Sequence, residues 1–230
     1  MSTEDKKLYT VVSVTDEAPG VRTLELSPST PFAAGQYITV YFPDENVPEG
    51  KAYSISSAPH EARFTITVKA MGAFSNRLYA LRAGESFYGS DPYGFFYSEE
   101  KGTPLMLFAI GIGITPMRSI VLDCLRSEPE REITLCYGSR TKTDLVFAGD
   151  WRRIASEHPS FRATFFLSRE DAEECEKGRM SAERVLALGA HETAEFMLCG
   201  SISFVRDMWK GLRSAGVAEE RIYTEAFFTN

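Results

Sequence analysis

The sequence predicts a β + α/β chain: an N-terminal antiparallel six-stranded β-barrel over residues 1–100, followed by a parallel-sheet α/β domain over residues 101–230. Three observations carry that expectation. In the first part, short runs rich in Thr, Val, Ile, Tyr and Phe alternate with turns built on Pro and Gly. In the second, apolar runs of strand length alternate with segments of helical periodicity. The rhythm changes at Ser98-Glu99-Glu100-Lys101-Gly102, a polar stretch suited to a linker.

Strands are expected over 8–15, 21–26, 37–42, 52–55, 64–69 and 86–89. Pro19-Gly20, Pro43-Asp44 and Pro48-Glu49-Gly50 separate them, because Pro presets the backbone for a turn and Gly accepts left-handed angles. Short strands at such spacing favour closure into a barrel. One helix interrupts the series over 74–81, where Phe74, Leu78 and Leu81 recur at helical spacing.

The run 105–110 is continuously apolar, as a strand buried on both faces requires. It leads into a helix with Met117, Ile120, Val121, Cys124 and Leu125 on one side. Strands are expected over 133–137, 163–167, 195–199 and 221–226, and helices around 145–156, 182–188 and 204–214; residues 171–178 read as a polar, acidic loop. Such βα alternation implies a parallel sheet covered on both faces.

Composition narrows the class. The chain has 43% hydrophobic and 25% charged residues, ordinary for a soluble protein. A net charge of −7 argues against a nucleic-acid partner. The N-terminus lacks the apolar core of a signal peptide, and no run approaches the roughly 18 apolar residues of a membrane span. Cys124, Cys136, Cys175 and Cys199 stand far apart, so neither a disulfide framework nor an iron–sulfur cluster is expected, and no metal site. A cytoplasmic monomer is the expectation.

The turn Gly111-Ile112-Gly113-Ile114-Thr115-Pro116 sits where the first α/β strand hands over to its helix. Free amides and the positive dipole end of that helix suit a pyrophosphate, and Pro116 fits a first helical position. An ordinary βα turn would use the same glycines for geometry alone. Pro116 breaks the G-x-G-x-x-G pattern. The second strand ends in Tyr137-Gly138-Ser139-Arg140, with Lys142 close behind, where that pattern expects an acidic residue. A hydroxyl and two cations suit a ribose 2′-phosphate, or a solvated basic turn.

Further motifs follow in order: Lys51-Ala52-Tyr53-Ser54-Ile55-Ser56-Ser57, Gly72-Ala73-Phe74-Ser75, Asp91-Pro92-Tyr93-Gly94-Phe95-Phe96, Leu198-Cys199-Gly200-Ser201 and Glu225-Ala226-Phe227. Together with the glycine turn, they resemble the ferredoxin–NADP reductase family across essentially the whole chain. The resemblance implies an FAD-binding barrel over 1–100 and an NAD(P)-binding domain over 101–230. It implies that Tyr53 lies against the isoalloxazine, that Ser54 bonds near flavin N5, and that Ala52 and Val68 belong to the same cofactor site. Lys51 stands where the family usually has arginine, a point charge in place of a bidentate fork. Gly72, Ala73, Phe74 and Ser75 would assist at the FAD diphosphate, although glycine and serine also serve as plain helix caps. Gly111, Gly113, Thr115 and Pro116 would hold the nucleotide pyrophosphate.

By the same resemblance, Cys199, Gly200 and Ser201 border the nicotinamide, while Glu225 and Phe227 lie on its side of the flavin, with Phe228 as a rival to Phe227. Ser54, Cys199 and Glu225 form the implied catalytic group. Ser139, Arg140, Ser168, Arg169 and Lys177 would hold the 2′-phosphate and favour NADPH over NADH. A buried cysteine is also a common small apolar residue at a strand end. The implied activity is an FAD-dependent NAD(P)H reductase that passes electrons singly to a separate ferredoxin, flavodoxin or oxygenase component. Alternatives are a reductase of free flavin or ferric complexes, and a non-catalytic flavin- or nucleotide-binding module. His60, His158 and His191 fall outside the motifs and read as surface or turn residues.

Overall fold

The computed structural model describes residues 6–43, 47–98, 100–189 and 193–227. Its first sheet contains β1 (Lys7–Ala18), β2 (Val21–Ser27), β3 (Tyr37–Tyr41), β4 (Lys51–Ser54), β5 (Thr65–Lys69) and β6 (Ser86–Gly89), in the order β4-β3-β6-β1-β2-β5. The edge strands meet: Ile55 bridges Ile66, and the Ser56 amide donates to the Thr65 carbonyl at 2.8 Å. That contact closes the barrel and leaves no open edge. Register shifts between Val11 and Ser13 and between Asp16 and Ala18 let the long β1 bend around it. Tyr9, Leu24, Ile38, Ile55, Phe64 and Ile66 fill the interior. Helix α1 (Ala73–Ala80) caps it by burying Phe74 and Leu78.

The second sheet is wholly parallel. Its elements are β7 (Leu105–Ile110), α2 (Ile114–Ser127), β8 (Ile133–Ser139), α3 (Ala148–Glu157), β9 (Phe161–Leu167), β10 (Cys175–Lys177), α4 (Ala182–Leu186), β11 (Glu195–Ser201), α5 (Ile202–Ser214) and β12 (Ile222–Phe227). Strand order is β10-β9-β8-β7-β11-β12. The chain therefore runs outward from β7 on one side and returns to its other side as β11. That reversal opens a crevice beyond the carboxyl ends of β7 and β11, where such folds bind nucleotides. Apolar clusters cover both faces, Trp151 and Tyr137 anchoring one and Phe108 and Phe196 the other.

A buried ion pair fastens the connection between the two sheets. Arg131 donates to Glu195 at 3.1 Å and to the Ser98 hydroxyl at 3.0 Å, and Tyr223 donates to Glu195 at 2.8 Å. Ser98 in turn donates to Glu195, so the linker, β11 and β12 share one carboxylate.

Several sequence expectations are corrected. The acidic loop over 171–178 contains β10, which pairs with β9 from Cys175↔Phe165 to Lys177↔Leu167. One half-buried cysteine followed by two exposed charged residues pairs through main-chain groups and carries no apolar alternation for a pattern to detect. Helix α3 starts at Ala148 because Phe147 takes a left-handed φ of 59°, while Leu145, Val146 and Phe147 pack into the core as a turn. Helix α5 starts two residues before the expected 204, where the Ser201 hydroxyl accepts from the Phe204 amide. No helix among the described residues is long and apolar enough to cross a membrane.

Candidate functional site

On the barrel side, β4 runs beside β3 with Ser54 directly opposite Tyr37. Ser54 is buried and its Oγ has no hydrogen-bond partner. An orphaned buried hydroxyl costs about 1–3 kcal/mol, which a ligand atom of complementary character removes. Tyr53 is half-buried against the barrel core, and burial pushes its phenol up. Lys51 and Ala52 are exposed, with the Lys51 ammonium 5.8 Å from the Phe74 ring centre.

At the start of α1, Gly72 and Ala73 are exposed, and the first-turn amides have no intrahelical acceptor. The Ser75 hydroxyl accepts from the Met71 and Gly72 amides at 3.0 Å and donates to the Gly72 carbonyl at 3.1 Å. It is thus fully engaged as a cap. The Phe74 side chain packs on Phe42 with ring centres 5.0 Å apart, leaving its amide as the group it can offer. Val68 is fully buried among the barrel's inward residues. Its side chain joins Leu24 and Ile66 in that core cluster.

On the α/β side, Gly111–Gly113 form a 3₁₀ turn that runs into α2. Gly111 has φ +52° and nothing within 4 Å of where a Cβ would stand, so its backbone faces open space. Gly113 is different: a Cβ there would meet the Cys199 carbonyl oxygen at 2.4 Å. Pro116 is the third residue of α2, not the first, and its missing N–H is harmless because it still lies in the first turn. Thr115 is buried and donates to the Ile112 carbonyl at 3.0 Å, which pins the turn rather than presenting a hydroxyl outward.

Cys199 is fully buried, pairs with Ala109 of β7 on one side and with Glu225 of β12 on the other, and is followed by buried Gly200. Burial, with the Glu225 charge behind it, pushes the thiol well up. The Cys199 thiol is therefore held in its neutral form, unlike nucleophilic cysteines, whose values are lowered. Ser201 caps α5, and Phe227 is half-buried against the sheet core. Phe228 lies outside the described residues.

Glu225 joins the halves. Its Oε2 is buried without a partner, and burial pushes its carboxyl up to about 7. It shares a cavity of about 410 Å³ with Tyr37, Gly94, Phe95 and Phe96 from the barrel. Burial, the Tyr93 hydrogen bond and the Glu225 charge push the Tyr37 phenol up to about 12. The Tyr93 ring packs at a 53° tilt on Tyr37 with ring centres 4.4 Å apart, and its hydroxyl lies 2.7 Å from Thr39 Oγ1. Phe95 is 85% exposed at the rim. Tyr37 is not among the residues that the sequence motifs single out, whereas Gly94, Phe95 and Phe96 belong to the 91–96 motif. The available signal was Gln36-Tyr37 opening a strand opposite Ser54.

The predicted ribose-end residues also converge. The Ser168 amide donates to the Ser139 carbonyl at 3.0 Å, and the Arg169 amide to the Arg140 carbonyl at 2.9 Å. Arg140 and Arg169 are exposed neighbours at the carboxyl ends of β8 and β9. Lys177 stands one strand further and pairs with Asp171 at 2.7 Å. His60 faces Asp123 at 3.9 Å, His158 ends α3, and His191 lies outside the described residues.

These residues fit the two implied cofactors. The unpartnered Ser54 Oγ meets the need of a ring nitrogen, the open Gly111 backbone meets that of a pyrophosphate, and adjacent guanidinium groups can grip phosphate bidentately.

Comparison with known proteins agrees. An oxidoreductase NAD-binding domain family model matches residues 107–210. The flavohemoprotein of Bacillus subtilis is 31% identical over 211 residues, covering 87% of this chain and 52% of that protein. The chain spans about half the length of the flavohemoproteins it matches. Among solved structures, cytochrome P450 reductase GcoB of Amycolatopsis superposes with a TM-score of 0.87 at 26% identity, covering 96% of this chain and 70% of that one. A ferredoxin NADP+ reductase from Neisseria gonorrhoeae, solved with bound FAD and NADP, gives 0.85 at 22% identity over 97% of this chain and 99% of that one, a likeness of fold. With closed barrel, switch-point crevice and matched nucleotide domain in one chain, the protein has the fold of the ferredoxin–NADP reductase-like FAD- and NAD(P)-binding modules, and its residues 107–210 match the oxidoreductase NAD-binding domain family.

Proposed function

We propose that this chain takes hydride from NADPH, in preference to NADH, and passes electrons one at a time to a separate redox protein. The observation that carries the reading is a pair of buried polar atoms without partners, Ser54 Oγ on the barrel and Glu225 Oε2 on the α/β domain. Tyr37 connects them, lying opposite Ser54 and sharing a cavity with Glu225. Bound flavin supplies hydride acceptance and single-electron release, which nicotinamide performs poorly.

The chain's own residues orient and isolate. The Ser54 hydroxyl can donate to or accept from a ring nitrogen as its protonation changes. Glu225, its carboxyl up at about 7, can hold or release a proton at the seam near neutral pH. The Gly111 backbone and the α2 N-terminus suit a pyrophosphate, and Arg140 and Arg169 a 2′-phosphate. The acceptor is a ferredoxin, flavodoxin or oxygenase component. The similar proteins support a one-electron acceptor, since one is a flavohemoprotein and another a cytochrome P450 reductase. The free thiols Cys124, Cys136, Cys175 and Cys199 support placement in a reducing compartment such as the cytoplasm.

The test is the absorption spectrum of the protein loaded with FAD, before and after anaerobic NADPH or NADH. Flavin colour that bleaches faster with NADPH is expected. A protein that takes up no FAD sinks the reading, and one that stays yellow with both nucleotides is a binding module.

A further inference from the structure

We propose that Arg118 is a positioning residue that sets the spacing between the two cofactor half-sites. It ties the helix after the Gly111–Gly113 turn to the loop after the Tyr53-Ser54 strand. The proposal rests on the reductase reading above and adds a residue to it.

Arg118 lies one turn into α2, and its side chain is 8% exposed. Its Nη1 donates to the Ser56 carbonyl at 2.9 Å and to Glu61 Oε2 at 2.7 Å. Its Nη2 donates to Glu61 Oε1 at 3.2 Å, and its Nε to Asp150 Oδ2 at 3.0 Å. The partners belong to two separate pieces of chain, the β4–β5 connection (Ser56 and Glu61) and α3 (Asp150). Ser56 stands two residues beyond Ser54, and its amide makes the bond that closes the barrel. Glu61 also accepts from the Ala58 amide at 2.8 Å, so the fork shapes the whole turn after the flavin-side strand. Asp150 sits in the first turn of α3. The Phe147 ring centre lies 5.4 Å from the guanidinium carbon.

A planar guanidinium with fixed donor directions transmits orientation as well as distance; an ammonium in its place is a point charge on a flexible stem. Other contacts across the same seam are less directional. His60 faces Asp123 at 3.9 Å, and the Ile120 side chain rests near Gly35. Hydride transfer needs the reacting atoms about 3–3.5 Å apart, and a 1 Å displacement can lower the rate by about 100-fold. The α2 N-terminus would seat the nucleotide and β4 the flavin, so the bond network between them acts as a ruler.

Two variants test this. Arg118→Lys keeps the charge beside Glu61 and removes the fork. The triple variant Arg118→Met, Glu61→Gln, Asp150→Asn removes the network without stranding a buried carboxylate. Anaerobic single-turnover reduction at saturating NADPH is measured beside the dissociation constants of FAD and NADPH. Small-angle scattering of the FAD-free protein reads domain arrangement independently of activity. At least a tenfold fall in hydride-transfer rate is expected, with both dissociation constants within threefold of wild type and a broader scattering distribution. A rate within twofold of wild type in a folded variant overturns the proposal. Equal losses in rate and in both affinities also overturn it, in favour of a general structural role. If wild-type protein fails to reduce FAD, the reductase reading falls separately, and an unchanged scattering curve in both variants then disposes of the tether as well.

Discussion

Gly113 lies against Cys199 so closely that a Cβ on it would stand 2.4 Å from the Cys199 carbonyl oxygen. The turn between β7 and α2 is thus in backbone contact with the end of β11, across the point where strand order reverses. The two glycines of the turn serve different ends, Gly113 for packing and Gly111 for its left-handed angle and open backbone. Gly113→Ala should cost about 1–3 kcal/mol by overpacking against main chain that cannot move aside. Gly111→Ala should cost only about 1 kcal/mol, from its left-handed φ. Urea midpoints of the two variants check the order, and a reversed order contradicts this account.

Ser54→Ala removes a buried hydroxyl that has no partner. Apoprotein stability should hold or rise, by up to about 1–3 kcal/mol. The FAD-induced rise in Tm should shrink, because the lost group matters only when a ligand meets it. Thermal melts with and without FAD read both effects. A large loss in apoprotein stability would show that the hydroxyl has a structural role.

Glu225 makes stability depend on pH. Burial pushes its carboxyl up to about 7, so the folded protein holds this proton more tightly than the unfolded chain does. That contribution is complete below the ordinary carboxylate range and is lost as pH rises through about 7. Wild type should therefore lose on the order of 3 kcal/mol more than Glu225→Gln between pH 4 and pH 8. Denaturant midpoints of the two apoproteins across that range give the difference, and parallel curves would refute it.

Glu195→Ala removes the more deeply buried of the two carboxylates on Arg131, whose side chain is 3% exposed, leaving it Glu128 at 3.1 Å and taking from Ser98 and Tyr223 their shared acceptor. Removing one partner of a buried pair costs about 3–5 kcal/mol. Chemical denaturation measures it, and a loss below about 1 kcal/mol would mean that water replaces the carboxylate.

Arg169→Ala tests the preference for NADPH. Its side chain is exposed at the carboxyl end of β9 beside Arg140, so folding should be untouched. The KM for NADPH should rise at least tenfold and that for NADH less than threefold, a difference of about 0.7 kcal/mol or more in binding. Equal rises would assign Arg169 to a part common to both nucleotides.

The two-part architecture was legible because its signals are local. Alternating β-branched residues between Pro and Gly turns marked the barrel strands, and 105–110 stood out as one unbroken apolar run. Strand β10 was missed because a three-residue edge strand is held by main-chain bonds to β9 alone. Val68 lies inside the barrel, a burial that no local alternation marked, since the first four residues of β5 are all buried. Pro116 was read as opening α2 because the preceding turn left no local mark of where helical angles begin.

What the amino-acid order determined by itself was which residue types cluster near each turn: a hydroxyl after Tyr53, glycines after β7, a carboxylate near the end. What only the tertiary structure decided was which of them meet. Antiparallel pairing of β3 with β4 set Ser54 opposite Tyr37, and parallel pairing of β11 with β12 set Cys199 opposite Glu225. The seam then brought Tyr37 and Glu225 to one cavity and laid Arg118 across Ser56, Glu61 and Asp150. Such pairings join residues from 17 to more than 180 positions apart, and they follow from backbone hydrogen bonding and side-chain burial summed over the whole chain, which no short window of sequence contains.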